Sequence, residues 1–328
     1  MTLTDEDVST VSRLETLYLD NNLLEILDVS ACSSLRHIDI DQNRLRRLIG
    51  LDGLRKLDTL SIRRQDLAGA QASVISSILA STLHCRSLYL SSNAISHFDN
   101  AIAHHCVEHL EAASCGLSTL PSDFGLKFPN LTTLNLNFNT IKDPRPLLNI
   151  VQLQTLHIAG NKLARLRKSV ATLAKLTKIK TLDIRDNPLT HGFYPPAGPQ
   201  KPASQALTFR SAAMHRRTRS VELQDSRMQE YLLPLVDDRR DAEHLSRLDE
   251  DSKLRRRVNE LLLANSCKNL ETIDGLHFDR ERIMRRDSIF DRLVKLGIIK
   301  RTESRDGKAT VIAESIEQLA QETQDLHI

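Results

Sequence analysis

The sequence predicts an α/β solenoid with a curved parallel β-sheet on its concave face, short helices and turns on its convex face, and a C-terminal helical cap. Three observations lead there. An eleven-residue pattern, LxxLxLxxNxL, recurs along the first two thirds of the chain at spacings of 21 to 28 residues. Its central LxL alternates with the period of a strand, which puts two aliphatic side chains in a core and the residue between them outside. The segments between copies are about a dozen residues long, too short for a regular crossover helix in each unit and suited to short helices or 3₁₀ turns.

The copies are LETLYLDNNLL from Leu14, LRHIDIDQNRL from Leu35, LDTLSIRRQDL from Leu57, CRSLYLSSNAI from Cys85, VEHLEAASCGL from Val107, LTTLNLNFNTI from Leu131, LQTLHIAGNKL from Leu153 and IKTLDIRDNPL from Ile179. Counting each from one to eleven, positions one, four, six and eleven are aliphatic in most copies. Stacked units of this kind make a leucine-rich-repeat solenoid. Asn at position nine (Asn22, Asn43, Asn93, Asn139, Asn161 and Asn187) is expected to satisfy backbone groups where the chain turns off the strand into the core. Gln65 and Cys115 replace it in the third and fifth copies. The longer fourth unit carries QASVISSILASTL, which reads as a full helix.

After the eighth copy, HGFYPPAGPQKPASQ clusters Pro and Gly and cannot continue the repeat. The expected division is a lead-in over 1–13, repeats over 14–190, a partly disordered insertion over 191–250, a C-terminal helix with a degenerate repeat and cap over 251–300, and a loose tail over 301–328. Within the insertion, YLLPLVDDRRDAEHLSRL is expected to be partly helical around Pro234. Order should return at DSKLRRRVNELLLANS, a helix capped by Asp251 or Ser252 with Leu254, Val258, Leu261 and Leu262 on one face. Leu270 and Ile273 read as a degenerate ninth strand, followed by a last helix from about Arg280 to Leu296 that ends at Gly297. The polar lead-in before Leu14 is thin cover for a core edge, so the chain is expected to be part of a longer scaffold.

Composition narrows the function. Of 328 residues none is Trp and only 4% are aromatic, so the core should be aliphatic. The net charge of +3 is too small to suggest a nucleic-acid or membrane partner. The five cysteines (Cys32, Cys85, Cys106, Cys115 and Cys267) are odd in number and dispersed, which favours a reducing compartment. Cys85 and Cys115 occupy repeat positions and are expected to be buried structural thiols. Neither a signal peptide nor a membrane span is expected, because no run reaches the ~18 apolar residues that crossing a bilayer needs.

No glycine loop suited to phosphates occurs, and no nucleophile, base and orienting group share a defined spacing. No cofactor, metal or small-molecule substrate is expected, and the chain reads as a non-enzyme. The most metal-like stretch, HHCVEH, spreads His104, His105, Cys106 and His109 over a loop and a strand rather than one helical face.

The informative surface is therefore the row of side chains between and after the core leucines, expected to face solvent and receive a partner. That row comprises Tyr18, Asp20, Asp39, Asp41, Ser61, Arg63, Tyr89, Ser91, Glu111, Asn135, Asn137, His157, Asp183 and Arg185. Tyr18, Tyr89 and the arginines are its expected anchors. Ser220 in RRTRSVEL is a candidate phosphorylation site, with Ser288 in RRDSIF a weaker one.

Two segments carry more than the generic repeat. The repeats ending in TLDIRDNPLTHGFYPP, the insertion, and then KLRRRVNELLLANSCKNLETIDGL resemble the C-terminal repeat domain of fungal septation-initiation and mitotic-exit network scaffolds, which are related in this domain to centriolin. The resemblance implies a scaffold at the spindle pole body, in the cytoplasmic microtubule-organising centre. Its implied partners are a spindle-pole anchor, regulators of a small GTPase and the network's protein kinases, coupling mitotic exit to septation and cytokinesis. The period and cap alone would equally suit a generic intracellular repeat adaptor, such as a protein phosphatase regulatory subunit.

Overall fold

A computed structural model of the 328-residue chain describes residues 11–66, 71–82, 84–95, 98, 103–195, 230–301 and 309–311. In chain order the strands begin with β1 (Thr16–Tyr18), β2 (Ile26–Asp28), β3 (His37–Asp39), β4 (Arg47–Ile49) and β5 (Thr59–Ser61). Helix α1 (Gln71–Ser81) precedes β6 (Ser87–Tyr89) and β7 (His109–Glu111). The short helix α2 (Phe124–Lys127) leads to β8 (Thr133–Asn135) and β9 (Thr155–His157), and α3 (Leu166–Leu173) to β10 (Thr181–Asp183). The C-terminal part holds α4 (Asp238–Arg247), α5 (Glu250–Ser266), β11 (Thr272–Ile273), β12 (Leu276–His277), α6 (Arg280–Met284), α7 (Ser288–Lys295), and the antiparallel pair β13 (Ile299–Arg301) and β14 (Ala309–Val311).

The main sheet runs β1-β3-β5-β6-β7-β8-β9-β10-β11-β12, parallel up to β11. Position four pairs with position four throughout: Leu17 with Ile38, Ile38 with Leu60, Leu60 with Leu88, and so on to Leu156 with Leu182. A second, two-stranded sheet of β2 and β4 lines the other side of the first two repeats. The eleven-residue register read from the sequence is thus the register of the ladder, and the chain is a leucine-rich-repeat solenoid.

The main-sheet strand of each of the eight repeats is only three residues long because position eight turns the backbone left-handed. Asn21, Gln42, Arg64, Ser92, Ser114, Phe138, Gly160 and Asp186 have φ between +52° and +65°. That conformation is disfavoured for residues with a Cβ, so the structure around it must hold it in place. The turn drives positions nine and eleven into the interior. Leu45, Ile95, Leu117, Ile141, Leu163 and Leu189 are all buried there, with the paired strand residues above them. The core is mostly aliphatic; Phe98, Phe124 and Phe128 meet in its middle, with ring centroids 5.0 to 6.2 Å apart, and Phe278 and Phe290 join it at the C-terminal end.

The C-terminal end closes the stack. β11 pairs with β10 in parallel, and Asp274 (φ +55°) and Gly275 (φ +80°) then form a two-residue turn into β12, where left-handed φ at both central positions matches the twist of the strands. A Cβ on Gly275 would lie 3.1 Å from Arg185 Nη1 and 3.2 Å from the Val236 nitrogen, so glycine is also needed for close approach. Helix α5 begins two or three residues earlier than the sequence suggests, capped by Asp249 rather than Asp251 or Ser252; the Asp249 carboxylate accepts from the Ser252 N–H at 2.8 Å. Leu254, Val258 and Leu261 are buried and Leu262 half-buried.

Two expectations need correction. The single last helix from Arg280 to Leu296 is two helices, because Asp287 accepts from the Phe290 N–H and starts α7 afresh, while the Arg257 guanidinium donates to the Arg285 carbonyl and to Asp287 in the break. The segment YLLPLVDDRRDAEHLSRL is partly helical, but its helix lies past Pro234: the chain turns and bends over 230–232, is irregular over 233–237, and α4 starts at Asp238 behind its own Asp237 cap. The Arg-rich stretch 210–227, Ser220 and most of 301–328 lie outside the described residues.

Candidate functional site

The row expected to face solvent is largely buried. Tyr18 is the exposed member, at 46%, and Asp20, Tyr89 and His157 are half-buried. Asp39, Asp41, Ser61, Arg63, Ser91, Glu111, Asn135, Asn137, Asp183 and Arg185 are each 6% exposed or less. Two physical reasons account for this.

The first is the turn after each strand. It leaves the position-seven N–H without a partner in the ladder, and a polar side chain supplies one. The Arg63 N–H donates to Asp41 Oδ1 at 2.7 Å, the Ala113 N–H to Ser91 Oγ at 2.9 Å and the Ala159 N–H to Asn137 Oδ1 at 2.7 Å, each bond crossing to the preceding repeat. The Asn137 and Arg185 N–H groups use Asn135 and Asp183 of their own repeats. These side chains satisfy buried backbone donors that would otherwise carry a desolvation penalty.

The asparagines at position nine do the same one step deeper. Asn139 Nδ2 donates to the carbonyls of Ala112 and Leu136, and its Oδ1 accepts from the Cys115 and Leu117 N–H groups at 3.0 Å. Asn43, Asn93, Asn161 and Asn187 repeat this bridge to the unit before. Among the described residues no unit precedes Asn22 in the sheet; it is exposed and donates to the Leu19 and Asp20 carbonyls of its own turn. Gln65 spans the same carbonyl and amide with its longer arm. The Cys115 thiol takes the donor role toward Leu90 O, and burial pushes its pKa up to about 12, so it stays a thiol. Cys85 is likewise buried and pushed up to about 12.

The second reason is a segment that sequence reasoning placed in the insertion. Residues 230–236 cross the concave face as a strap that turns at 230–232 and is irregular beyond. Tyr231 Oη donates to Ser92 Oγ at 2.9 Å and accepts from Arg64 Nε at 3.0 Å, while Glu230 pairs with the same Arg64. The Tyr231 carbonyl accepts from Asn137 Nδ2 at 2.9 Å and Asn135 Nδ2 at 3.3 Å. Farther along, the Pro234 carbonyl accepts from Arg185 Nη1 at 2.7 Å and the Val236 N–H donates to Gly275 O at 3.1 Å. The available sequence signal was an apolar run, YLLPLV, inside an otherwise polar stretch.

Beneath the strap lies a buried ionic cluster. The Arg63 guanidinium donates to both oxygens of Glu111 at 2.7 and 3.0 Å, lies 3.6 Å from Asp41, and sits 4.6 Å from the Tyr89 ring centre. Burial and the nearby Asp39 push the Asp41 carboxyl up to about 6, against the opposing pull of Arg63. His157 is held below its usual pKa by burial, which Asp183 partly offsets. At the other end, burial and the Asp183 charge push Asp274 up to about 7, against the opposing pull of the Ile184 N–H, which donates to its Oδ1, and of the neighbouring Tyr194 hydroxyl.

A second ionic cluster anchors the strap's C-terminal side. Arg256 of α5 donates to both oxygens of Asp241, to Glu260 and to the Phe193 carbonyl, and lies 4.4 Å over the Tyr194 ring. Phe193 and Tyr194 come from GFYPP and Arg256 from RRRVNELLLANS, so the two distinctive segments of the sequence meet here. Elsewhere, His104 is buried and stacked 5.3 Å from Phe128, while His105, Cys106 and His109 are exposed. Among the described residues no group of three or more His, Cys, Asp or Glu side chains is arranged to hold a metal, and no helix is long and apolar enough to cross a membrane.

No protein-family model matches the chain. Over 250 residues, 76% of the chain, it is 28% identical to the septation initiation network scaffold protein cdc11 of Schizosaccharomyces pombe, and the match spans 23% of that protein's length. Among solved structures it is similar to internalin C2 of Listeria monocytogenes, with 20% identity, a TM-score of 0.47, and coverage of 55% of this chain and 75% of that one. Human 5T4 gives 20% identity and a TM-score of 0.43 over 54% and 71% of the two chains.

Two outcomes check the site. Arg63→Ala leaves Glu111 and Asp41 buried without their cation and should destabilise the fold by about 3 to 5 kcal/mol in urea denaturation. A loss under about 1 kcal/mol would show that the cluster is hydrated and open. For Asp274 the sign follows from its raised pKa: the folded chain holds this proton to about pH 7 while the unfolded chain releases it near pH 4, so this group's contribution to stability declines as pH rises between those values. Asp274→Asn keeps the acceptor for the Ile184 N–H and removes the titration. The variant should gain stability over wild type from pH 4 to pH 8, and a gap constant with pH would contradict the assignment.

Proposed function

We propose that this chain is the protein-binding repeat portion of a scaffold in septation initiation, non-catalytic and concentrated at the spindle pole body. The supporting observation is the identity with cdc11 over three quarters of the chain. The physical construction suits such a role: a stack of repeats, closed at its C-terminal end by β11, β12 and the Arg256 cluster, offers long surfaces to protein partners.

In this reading the chain holds a spindle-pole anchor, small-GTPase regulators and kinases of the network, in the cytoplasm rather than in or on a membrane. Its partner surface includes the concave row with Tyr18 and Asp20 in the first repeat, Tyr89 and His157 at the half-buried middle, and the strap that covers Asn135, Asp183 and Arg185. Charge reversal at Asp39 or Asp41 is a poor probe of that surface, because both are buried and would disturb the fold first.

Tagging the native protein and imaging dividing cells tests the reading. The expected result is a focus at each spindle pole through mitosis, with co-purification of network kinases. A diffuse signal through mitosis, or stoichiometric recovery with a phosphatase catalytic subunit instead, overturns it.

A further inference from the structure

The strap is held as a docked peptide would be, turning at 230–232 and running irregularly from Leu233 to Val236. It adds no strand to the sheet, and between Glu230 and Val236 it has no helix or strand of its own. The repeats hold it through side chains instead. Arg64 and Ser92 clamp the Tyr231 hydroxyl, Asn135 and Asn137 clamp the Tyr231 carbonyl, and Arg185 clamps the Pro234 carbonyl. Tyr231 is 5% exposed and Leu233 7%, whereas Leu235 is 82% exposed, so two apolar side chains are seated and a third is left out. The Arg63 and Arg64 guanidinium carbons each lie 5.7 Å from the Tyr231 ring centre, which adds cation–π attraction to the seat.

The contacts also have a charge sense. Arg64 pairs with Glu230 while its Nε serves the tyrosine, so one arginine reads an acidic residue and the aromatic that follows it. Position eight supplies both Arg64 and Ser92, and its left-handed backbone (φ +52° and +58°) lifts them to the rim of the concave face. None of these contacts requires that the peptide belong to the same chain.

We propose that the concave groove from Arg64 to Arg185 is a recognition site for a partner peptide carrying an acidic residue, then tyrosine, then an apolar residue two positions on, and that Glu230–Val236 occupies it in cis. This rests on the reading that the chain holds other proteins, and it names the chemistry of one partner. A tethered segment competes at an effective concentration on the order of mM, so a free peptide binds well only when the cis segment is weakened.

The test uses the full chain and a labelled peptide, QEYLLPLVD, copied from residues 229–237. Fluorescence anisotropy should show the peptide binding to Tyr231→Ala at least about ten-fold more tightly than to wild type, since the groove is then vacated. Adding Arg64→Glu to that variant, or replacing the peptide's tyrosine by alanine, should reduce binding at least about ten-fold. A folded Tyr231→Ala chain that binds the peptide no better than wild type does, or binds a scrambled peptide equally, overturns the proposal. If Tyr231→Ala fails to fold, Leu233→Ala takes its place; if both fail, the strap is core rather than ligand and the proposal is lost. Each of these results stands apart from spindle-pole localisation.

Discussion

The fold depends on one backbone constraint, the left-handed residue that follows the main-sheet strand of each repeat. By turning the chain inward after three paired residues, it makes a solenoid of short repeats possible, and it also strands amide and carbonyl groups where water cannot reach them. Each such group needs a partner, and the chain supplies it with side chains rather than with more backbone. The asparagine ladder bridges each repeat to the one before it, and the polar residues at positions five and seven close the remaining donors. Stacking and hydrogen bonding are thus one interaction, because a repeat satisfies its neighbour's backbone as well as its own.

That arrangement shapes what the concave face can do. Residues such as Asp41, Ser91 and Asn137 spend their acceptors on the fold, so they are poorly placed to recognise a partner by themselves. Recognition falls to groups that project past this layer: the amide donors of Asn135 and Asn137, the guanidinium groups of Arg64 and Arg185, and the Ser92 hydroxyl. These are the groups that hold the strap. The buried Arg63 cluster is a foundation under them, since the same guanidinium that binds Glu111 lies beneath the Tyr231 ring.

Much of this was legible in the sequence and some of it was not. The strand register and the asparagine positions follow from a spacing that repeats eight times, so each copy checks the others. The burial of the concave polar residues was hidden because strand alternation says only which side a residue takes, and the ladder of amides on that side appears only once left-handed turns are known. The strap was hidden for a different reason. Its contacts span more than ninety residues in sequence, from Tyr231 to Asn137 and to Ser92, and a lone YLLPLV carries no periodicity that would announce them. Similarly, the apolar pattern from Arg280 to Leu296 carries no sign of the break that Asp287 makes by bonding to the Phe290 amide and Arg257.

The most direct test of the central claim, that buried side-chain-to-backbone bonds hold the repeats together alongside the aliphatic core, compares two substitutions in one repeat by urea denaturation. Leu136→Ala opens a cavity at a fully buried site and should cost about 2 to 5 kcal/mol. Asn139→Ala strips two donors and two acceptors of their partner, each group worth about 1 to 3 kcal/mol when left unsatisfied, and should cost at least as much. A loss for Asn139→Ala well below that for Leu136→Ala, under about 1 kcal/mol, would contradict the account.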